Sequence, residues 1–162
     1  MTLSLGPSHH ATDLKRFFPD LSIISFASHA PTNHGHLIQL FVTCTHPVSA
    51  AAVRDALATS PRVVLLTGAL GSTADVRNLA GSGSRNDAYA VVVWAESVVT
   101  QGHEIALTAA VHMEAIVVPE TIDAIRAIAG REWSAKDSRY ATDCALQVRS
   151  GHIEISGGGE PC

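Results

Sequence analysis

Apolar residues occur along this chain in short runs that predict strands, separated by stretches whose apolar spacing predicts helices. The predicted strands are 21–27, 37–43, 62–67, 88–94 continuing into 97–100, 103–112 and 152–155. The run 62–67 is continuously apolar from Val63 to Leu66, as expected for a buried strand. The run 88–100 predicts one long or bulged strand, which Gln101-Gly102 turns back into the next strand as a hairpin.

Five helices are predicted from capping residues, proline and glycine. They begin after Thr12, after Ser49, at Ser72, at Pro119 and at Ser134. Ser72 with Asp75, and Ser134 with Asp137, have the spacing of capping boxes. In the helix that starts at Pro119, Ile122, Ile125 and Ile128 form an apolar stripe, and Gly130 is a C-terminal stop.

The order of these elements predicts an α+β fold, with a mixed, mostly antiparallel sheet and helices packed on one face. The length of 162 residues is that of one domain. We place this domain at 1–150 and expect 151–162, which contains Gly157-Gly158-Gly159, to be a mobile tail.

Composition excludes several classes of function. The net charge of −4 provides no field that would recruit nucleic acid. No apolar run reaches the roughly 18 residues that span a bilayer, and the first residues do not resemble a signal peptide. The three cysteines are widely spaced, which is typical of a reducing compartment, so we expect a cytoplasmic protein.

The loop Ala30–His36 separates the first two predicted strands and carries two imidazoles, His34 and His36. Proline interrupts strand pairing, and asparagine and glycine accept the dihedral angles of a tight loop. Imidazoles held at the edge of a rigid sheet are suited to proton transfer. The alternative is a pair of solvated edge residues with no chemical role.

The sequence suggests three other kinds of site. His9-His10, His34-x-His36 and His112 could supply metal ligands, but no carboxylate or cysteine stands at ligand spacing, so no metal is expected. Cys44 lies within an apolar strand and is expected to be an inert core residue. The turn that begins at Gly68 matches neither nucleotide-binding glycine pattern and contains no lysine, so it is expected to be a plain turn.

An ordered set of segments resembles the archaeal-type (class II) glyceraldehyde-3-phosphate dehydrogenases. The segments are Pro7–His10 with Asp13, Ala30–Thr32 with His34 and His36, Pro61–Leu66, Ser72–Ala74, Arg85–Asp87, Ala110–His112 with Glu114, Val117–Arg126, Ser134–Ser138 and Thr142-Asp143. They span roughly residues 6 to 148. The resemblance implies the fold of the catalytic, C-terminal half of such an enzyme.

The resemblance also implies a mechanism. In this family a cysteine thiolate attacks the aldehyde and a histidine takes the proton; hydride then passes to NAD or NADP, and phosphate cleaves the thioester. It assigns the histidine role to His34, or to His36 if the gap in this shorter loop is placed otherwise. It assigns Ser8, His9 and His10 to the binding of the substrate phosphate.

The chain departs from the family pattern in ways that affect its expected activity. Met113 stands at a cofactor-contact position where the family has glutamine, and methionine cannot make the amide hydrogen bonds. The dinucleotide-binding domain and the segment with the nucleophilic cysteine are not found in the sequence. We therefore expect the chain alone to be inactive and to act as a split subunit, with a partner chain that carries the nucleotide-binding half.

Two alternatives to the split subunit remain. The chain could be a non-catalytic binding or oligomerisation module derived from the family, or an unrelated histidine-rich metal module. Loss of a first helix and strand would leave a sheet edge and an apolar face uncovered. We therefore expect a homo-oligomer or a subunit of a complex.

Overall fold

The computed structural model describes residues 4–6, 8–29, 35–68, 76, 79, 88–130 and 134–155. The chain divides into two compact units, residues 1–33 and 34–162. The predicted loop histidine His34, the capping box at Ser72 and most of the glycine-rich stretch before residue 88 lie outside the described residues.

In the first unit, a short antiparallel strand pair accompanies one helix. Strand β1 (Ser4–Gly6) pairs with β2 (Ala27–His29), and helix α1 (His10–Phe17) lies between them in sequence. The predicted cap at Thr12 is wrong, because the helix begins at His10. A distant side chain replaces the local cap: the Ala11 amide donates to Ser25 Oγ at 3.0 Å. The predicted strand 21–27 is also wrong in extent, since only Ala27 of that run lies in a strand.

The second unit contains a six-stranded mixed sheet. Its strands are β3 (His36–Thr43), β4 (Val63–Thr67), β5 (Val91–Trp94), β6 (Val99–Gln101), β7 (Glu104–Val111) and β8 (Gly151–Glu154). The strand order is β3-β7-β5-β4-β8, and β6 also pairs with β7. The pairs β3–β7, β5–β7 and β6–β7 are antiparallel, whereas β4–β5 and β4–β8 are parallel. The predicted α+β class with a mostly antiparallel sheet is confirmed.

The predicted long strand over 88–100 is two strands separated by a 3₁₀ turn, Ala95–Ser97. Both strands lie along the same side of β7, but Val92 pairs with Ala110 and Val99 pairs with Ala106. The register therefore shifts by three residues, the length of the turn. Ser97 stabilises the interruption, since its hydroxyl accepts from the Thr108 amide at 3.0 Å and donates to the Trp94 carbonyl at 2.7 Å.

The core consists of two apolar clusters that contain alternate residues of the central strands. Leu66 and Val92 belong to one cluster, and Leu65 and Val93 belong to the other. Helix α2 (Ala50–Thr59) packs against the second cluster through side chains that include Val53. As predicted, Ser49 caps this helix, accepting from the Ala52 amide at 3.2 Å. Val76 and Leu79 are buried in the first cluster.

Strand β8 extends the sheet past residue 150, where the sequence placed the start of a tail. Gly151–Glu154 pairs in parallel with Val64–Thr67. Ile153 and Ile155 pack against the first core cluster. Residues 151–155 are therefore integrated in the fold, and the residues after 155 lie outside the described part of the chain.

Two helices, α3 (Val118–Ile128) and α4 (Ala135–Leu146), follow β7. Pro119 lies in the first turn of α3 and Gly130 follows its end with a φ of +66°, as predicted. Ser134 caps α4 by accepting from the Asp137 amide at 3.1 Å. The predicted apolar stripe of α3 does not form core, because Ile125 and Ile128 are 60% and 86% exposed.

Candidate functional site

Two histidines that are far apart in sequence meet at one end of the sheet. His36 begins β3 and pairs with Val111, the last residue of β7. His112 follows Val111 directly, so it lies beside the start of β3. His36 is exposed and His112 is half-buried. Sequence spacing alone did not reveal this relation, since it depends on the register of β3 with β7.

The backbone at Gly35 lies against the end of β7. Its φ is +107°, a value that favours glycine. A Cβ atom at this position would lie 2.3 Å from the Val111 carbonyl oxygen and 3.5 Å from the His112 Cα. The backbone at Gly35 therefore approaches β7 more closely than any side chain at position 35 would allow.

The structure describes only one of the two predicted bases. His34 lies outside the described residues, whereas His36 is held in the first register position of an eight-residue strand. A partly exposed imidazole at a rigid strand end can accept or donate a proton near neutral pH. His36 thus meets the steric requirement for a base, and the assignment of that role between His34 and His36 remains a prediction.

The predicted phosphate-binding residues belong to the first unit and precede or begin α1. Ser8 is half-buried, and within the described residues its hydroxyl oxygen is buried without a hydrogen-bond partner. His9 and His10 are exposed, with ring centroids 4.6 Å apart. His9 Nε2 lies 3.8 Å from an Asp13 carboxylate oxygen. Imidazoles and a hydroxyl at a helix N-terminus can bind an anion.

Cys44, one of the two cysteines that the structure describes, does not lie beside His36. Cys44 follows the opposite end of β3, about 25 Å away at roughly 3.3 Å per strand residue. Its carbonyl oxygen accepts a hydrogen bond from His103 Nδ1 at 3.0 Å. Cys144 is exposed on α4, where its hydrogen bond to Tyr140 and its charge raise the pKa of that phenol.

Met113 lies in the turn after β7 and is 52% exposed. Its thioether cannot make the amide hydrogen bonds of the glutamine for which it substitutes. The residue present at this position therefore does not fit the expected cofactor contact, and no step of the chemistry is assigned to it.

The part of the chain that the structure describes lacks the features of a metal site and of a membrane-spanning helix. That part of the chain contains no group of three or more histidine, cysteine or acidic side chains arranged to hold a metal ion. Within the same residues, no helix has both the length and the apolar character needed to cross a bilayer.

A buried arginine joins the sheet to α3 and α4. Arg62 precedes β4 and is 8% exposed. Its guanidinium donates to Glu120 at 2.9 Å, to Asp123 at 2.6 Å and to Asp143 at 2.7 Å. Burial disfavours the guanidinium charge, but the hydrogen bonds to these carboxylates outweigh it and raise the pKa of Arg62.

Asp123 is the centre of this network. Its second carboxylate oxygen accepts from Ser138 and Thr142, each at 2.7 Å. Arg126 donates to Thr142 Oγ1 as well. Burial alone would raise the pKa of Asp123, but the hydrogen bonds from Thr142, Ser138 and Arg62 outweigh it, so its pKa is lowered.

Comparison with characterised proteins identifies relatives in archaea. A glyceraldehyde-3-phosphate dehydrogenase of Metallosphaera sedula is 38% identical over 151 residues, which cover 91% of this chain and 44% of the relative. The enzyme of Archaeoglobus fulgidus is 43% identical over 125 residues, 75% of this chain and 37% of its own length. The enzyme of Haloarcula marismortui is 36% identical over 156 residues, which cover 93% of this chain and 44% of the relative.

The chain is homologous, over 75–93% of its own length, to archaeal glyceraldehyde-3-phosphate dehydrogenases. It spans less than half the length of the relatives that it matches. A search of protein-family profiles found no match.

The buried network accounts for several segments on which the family resemblance depends. Its seven members are Arg62, Glu120, Asp123, Arg126, Ser138, Thr142 and Asp143. All of them lie in four of the sequence segments that resemble the family: 61–66, 117–126, 134–138 and 142–143. These segments therefore position helices, while His36 and the end of β7 form the candidate catalytic region.

Proposed function

We propose that this chain provides the proton-transferring histidine of a phosphorylating aldehyde dehydrogenase that acts on glyceraldehyde 3-phosphate. A second polypeptide would provide the nucleophilic cysteine and the site for NAD or NADP, which accepts the hydride. The observation that carries this proposal is the 36–38% identity, over about nine tenths of the chain, to relatives named for this activity.

The placement of His36 supports the chemical part of the proposal. A base in this reaction must accept a proton as the aldehyde carbon reacts and later return it, and imidazole can do both near neutral pH. The β3–β7 register holds His36 at a defined place on the sheet end, while its exposure leaves the ring accessible to a substrate.

Complementation tests the proposal directly. The full chain is mixed with the separately produced nucleotide-binding part of the Metallosphaera sedula enzyme, together with glyceraldehyde 3-phosphate, inorganic phosphate and NAD or NADP. We expect no reduced nucleotide from this chain alone and steady turnover from the mixture. A chimera in which this chain replaces the matching part of the Metallosphaera enzyme covers the case in which separate parts fail to assemble.

Histidine variants of the complemented enzyme identify the base. Replacing the true base, by His34→Ala or His36→Ala, should lower kcat by roughly 10²–10⁴-fold. His103→Asn, at the other end of the strand pair, should leave kcat unchanged. If both the mixture and the chimera are inactive while the parent Metallosphaera enzyme turns over, the proposed activity is refuted.

The exposed face of the sheet favours a second candidate, an assembly module whose partner is another copy of this chain. Phe41 and Val99 both lie opposite Ala106, so the three side chains form one row across β3, β7 and β6. Phe41 and Val99 are 77% and 61% exposed, and Leu37, on the same face of β3, is 55% exposed. Contiguous apolar patches of this kind mark interaction surfaces.

The charge of this face supports a second copy as its occupant. Among the described residues of β3, β6 and β7 on that face, only Glu104 carries a charge. It accepts a hydrogen bond from Thr43 Oγ1 at 2.9 Å and stands at the end of the strands. A neutral patch with its one charge at the edge can pair with itself without bringing like charges together.

A further inference from the structure

We propose that Gly35 is a positioning residue of the candidate site and that His112 belongs to the same site as His36. The proposal deepens the proposed function, on which its catalytic part rests. Its structural part concerns only this chain: His36 and His112 are held at the same end of the sheet because the backbone at Gly35 lies against the end of β7.

The first argument is steric. Gly35 combines a left-handed backbone, with φ at +107°, with a position where a Cβ would lie 2.3 Å from the Val111 carbonyl oxygen. Real Cβ atoms do not approach a neighbour that closely, and the neighbour here is backbone within a sheet, which cannot rotate away as a side chain can. Any residue with a Cβ at position 35 would therefore displace the backbone at that position from β7.

The second argument is the rigidity of the strand pair. All eight residues of β3 pair with β7, from His36 opposite Val111 to Thr43 opposite Glu104. A displacement at Gly35 is therefore not absorbed by sliding β3, because a one-residue change of register would move every side chain of the strand to the other face. The displacement falls on His36, which follows Gly35, and on its distance from His112.

Gly102 provides a matched control at the other end of β7. It precedes the strand in the turn after β6, and its φ of +60° is also left-handed. A Cβ at Gly102 would meet nothing within 4 Å. Gly102→Ala therefore imposes the unfavourable dihedral without the backbone collision, whereas Gly35→Ala imposes both.

The assigned NMR ring resonances of His36 and His112 test the structural part of the proposal. This measurement does not require enzymatic activity. In Gly35→Ala, we expect the ¹H and ¹³C ring shifts of both His36 and His112 to change while the backbone spectrum remains that of a folded protein. In Gly102→Ala, both sets of ring shifts should remain as in the parent chain. Unchanged ring shifts in Gly35→Ala would overturn the proposal.

A second variant decides the case in which Gly35→Ala does not fold. His112→Asn keeps Gly35 intact, and His103→Asn is its control at the far end of β7. Because His112 lies next to Val111, the pairing partner of His36, replacing it should change the His36 ring shifts, and replacing His103 should not. Equal changes of the His36 ring shifts in the two variants, or no change in His112→Asn, would contradict the proposal that His36 and His112 share a site.

Kinetics of the complemented enzyme test the catalytic part. Misplacement of a reacting group by about 1 Å can cost roughly 100-fold in rate, so Gly35→Ala should lower kcat by 10- to 100-fold. KM for glyceraldehyde 3-phosphate should change much less, and Gly102→Ala should retain the parent kcat. A Gly35→Ala enzyme with parental kcat would overturn the positioning role.

If the parent complex is itself inactive, the proposed function fails, while the ring shifts still decide whether the two histidines share a site.

Discussion

The guanidinium of Arg62 donates from Nε to the carboxylate of Asp143 at 2.7 Å, and this bond joins residues 81 positions apart in the chain. One partner precedes β4 and the other lies in α4. The remaining two guanidinium nitrogens bond to Glu120 and Asp123 of α3. A single buried side chain therefore joins both helices to the sheet.

We predict that Arg62→Ala strongly destabilises the protein. The change removes the ion pairs of Arg62 with Asp123 and Asp143, which are about three quarters buried, and leaves Asp123 the longer ionic contact with Arg126 at 3.5 Å. Breaking a buried ion pair typically costs about 3–5 kcal/mol. Urea unfolding of the variant and parent at neutral pH measures the loss. Arg139→Ala, an exposed position on α4, should change the free energy of unfolding by less than about 0.5 kcal/mol. An Arg62→Ala loss as small as that of the control would refute the role of the network.

Asp123 should make stability depend on pH in the acid range. Its folded-state pKa lies below the ordinary value of 3.8, so its ionised form stabilises the fold above pH 3.8, and this contribution is lost as pH falls through the folded pKa. Asp123→Asn should therefore cost about 2–3 kcal/mol at neutral pH, the range for hydrogen bonds to charged groups. The difference from the parent should shrink below pH 3.8.

The pH test is made by urea unfolding of the parent and Asp123→Asn at a series of pH values. Asp55→Asn, at an exposed position on α2, controls for the loss of a surface carboxylate. A difference between parent and Asp123→Asn that stays constant, or that grows as the pH is lowered, would contradict the assigned direction.

The N-cap of α4 should contribute about 1 kcal/mol. Ser134 Oγ accepts from the Asp137 amide at 3.1 Å and donates to the Asp137 carboxylate at 2.6 Å. Ser134→Ala removes both bonds, and cap removal typically costs about 1 kcal/mol. Chemical denaturation measures the change, with Ser150→Ala as a control at an exposed residue outside the helix. Equal stability of the two variants would argue against the cap.

Self-association through the exposed sheet face predicts an effect of Phe41. Light scattering of the parent chain should give the mass of a dimer or larger oligomer, and Phe41→Ser should shift it toward the monomer, since the side chain is 77% exposed on that face. Val42→Thr, on the opposite face of the same strand and 40% exposed, should retain the parent mass. A monomeric parent chain at working concentration would refute this assembly.

The candidate site was predictable in part. The His34-x-His36 pattern in its proline-broken loop was recognisable, because short polar motifs between apolar runs are visible in a sequence. The contribution of His112 and the close approach of Gly35 were not, because both depend on residues that lie about 75 positions apart and meet only through the β3–β7 register.

The sequence by itself determined the features that depend on neighbouring residues. Ser49 and Ser134 cap their helices, Pro119 and Gly130 bound α3, and Gly102 turns the hairpin, because these effects arise from hydrogen bonds and dihedral preferences within a few residues. Tertiary structure decided the rest. Only the folded chain brings Ser25 to the start of α1, pairs β8 with β4 and surrounds Arg62 with carboxylates. Each of these contacts joins groups 14 to 87 positions apart, and local preference contains no information about which distant partner a group will meet.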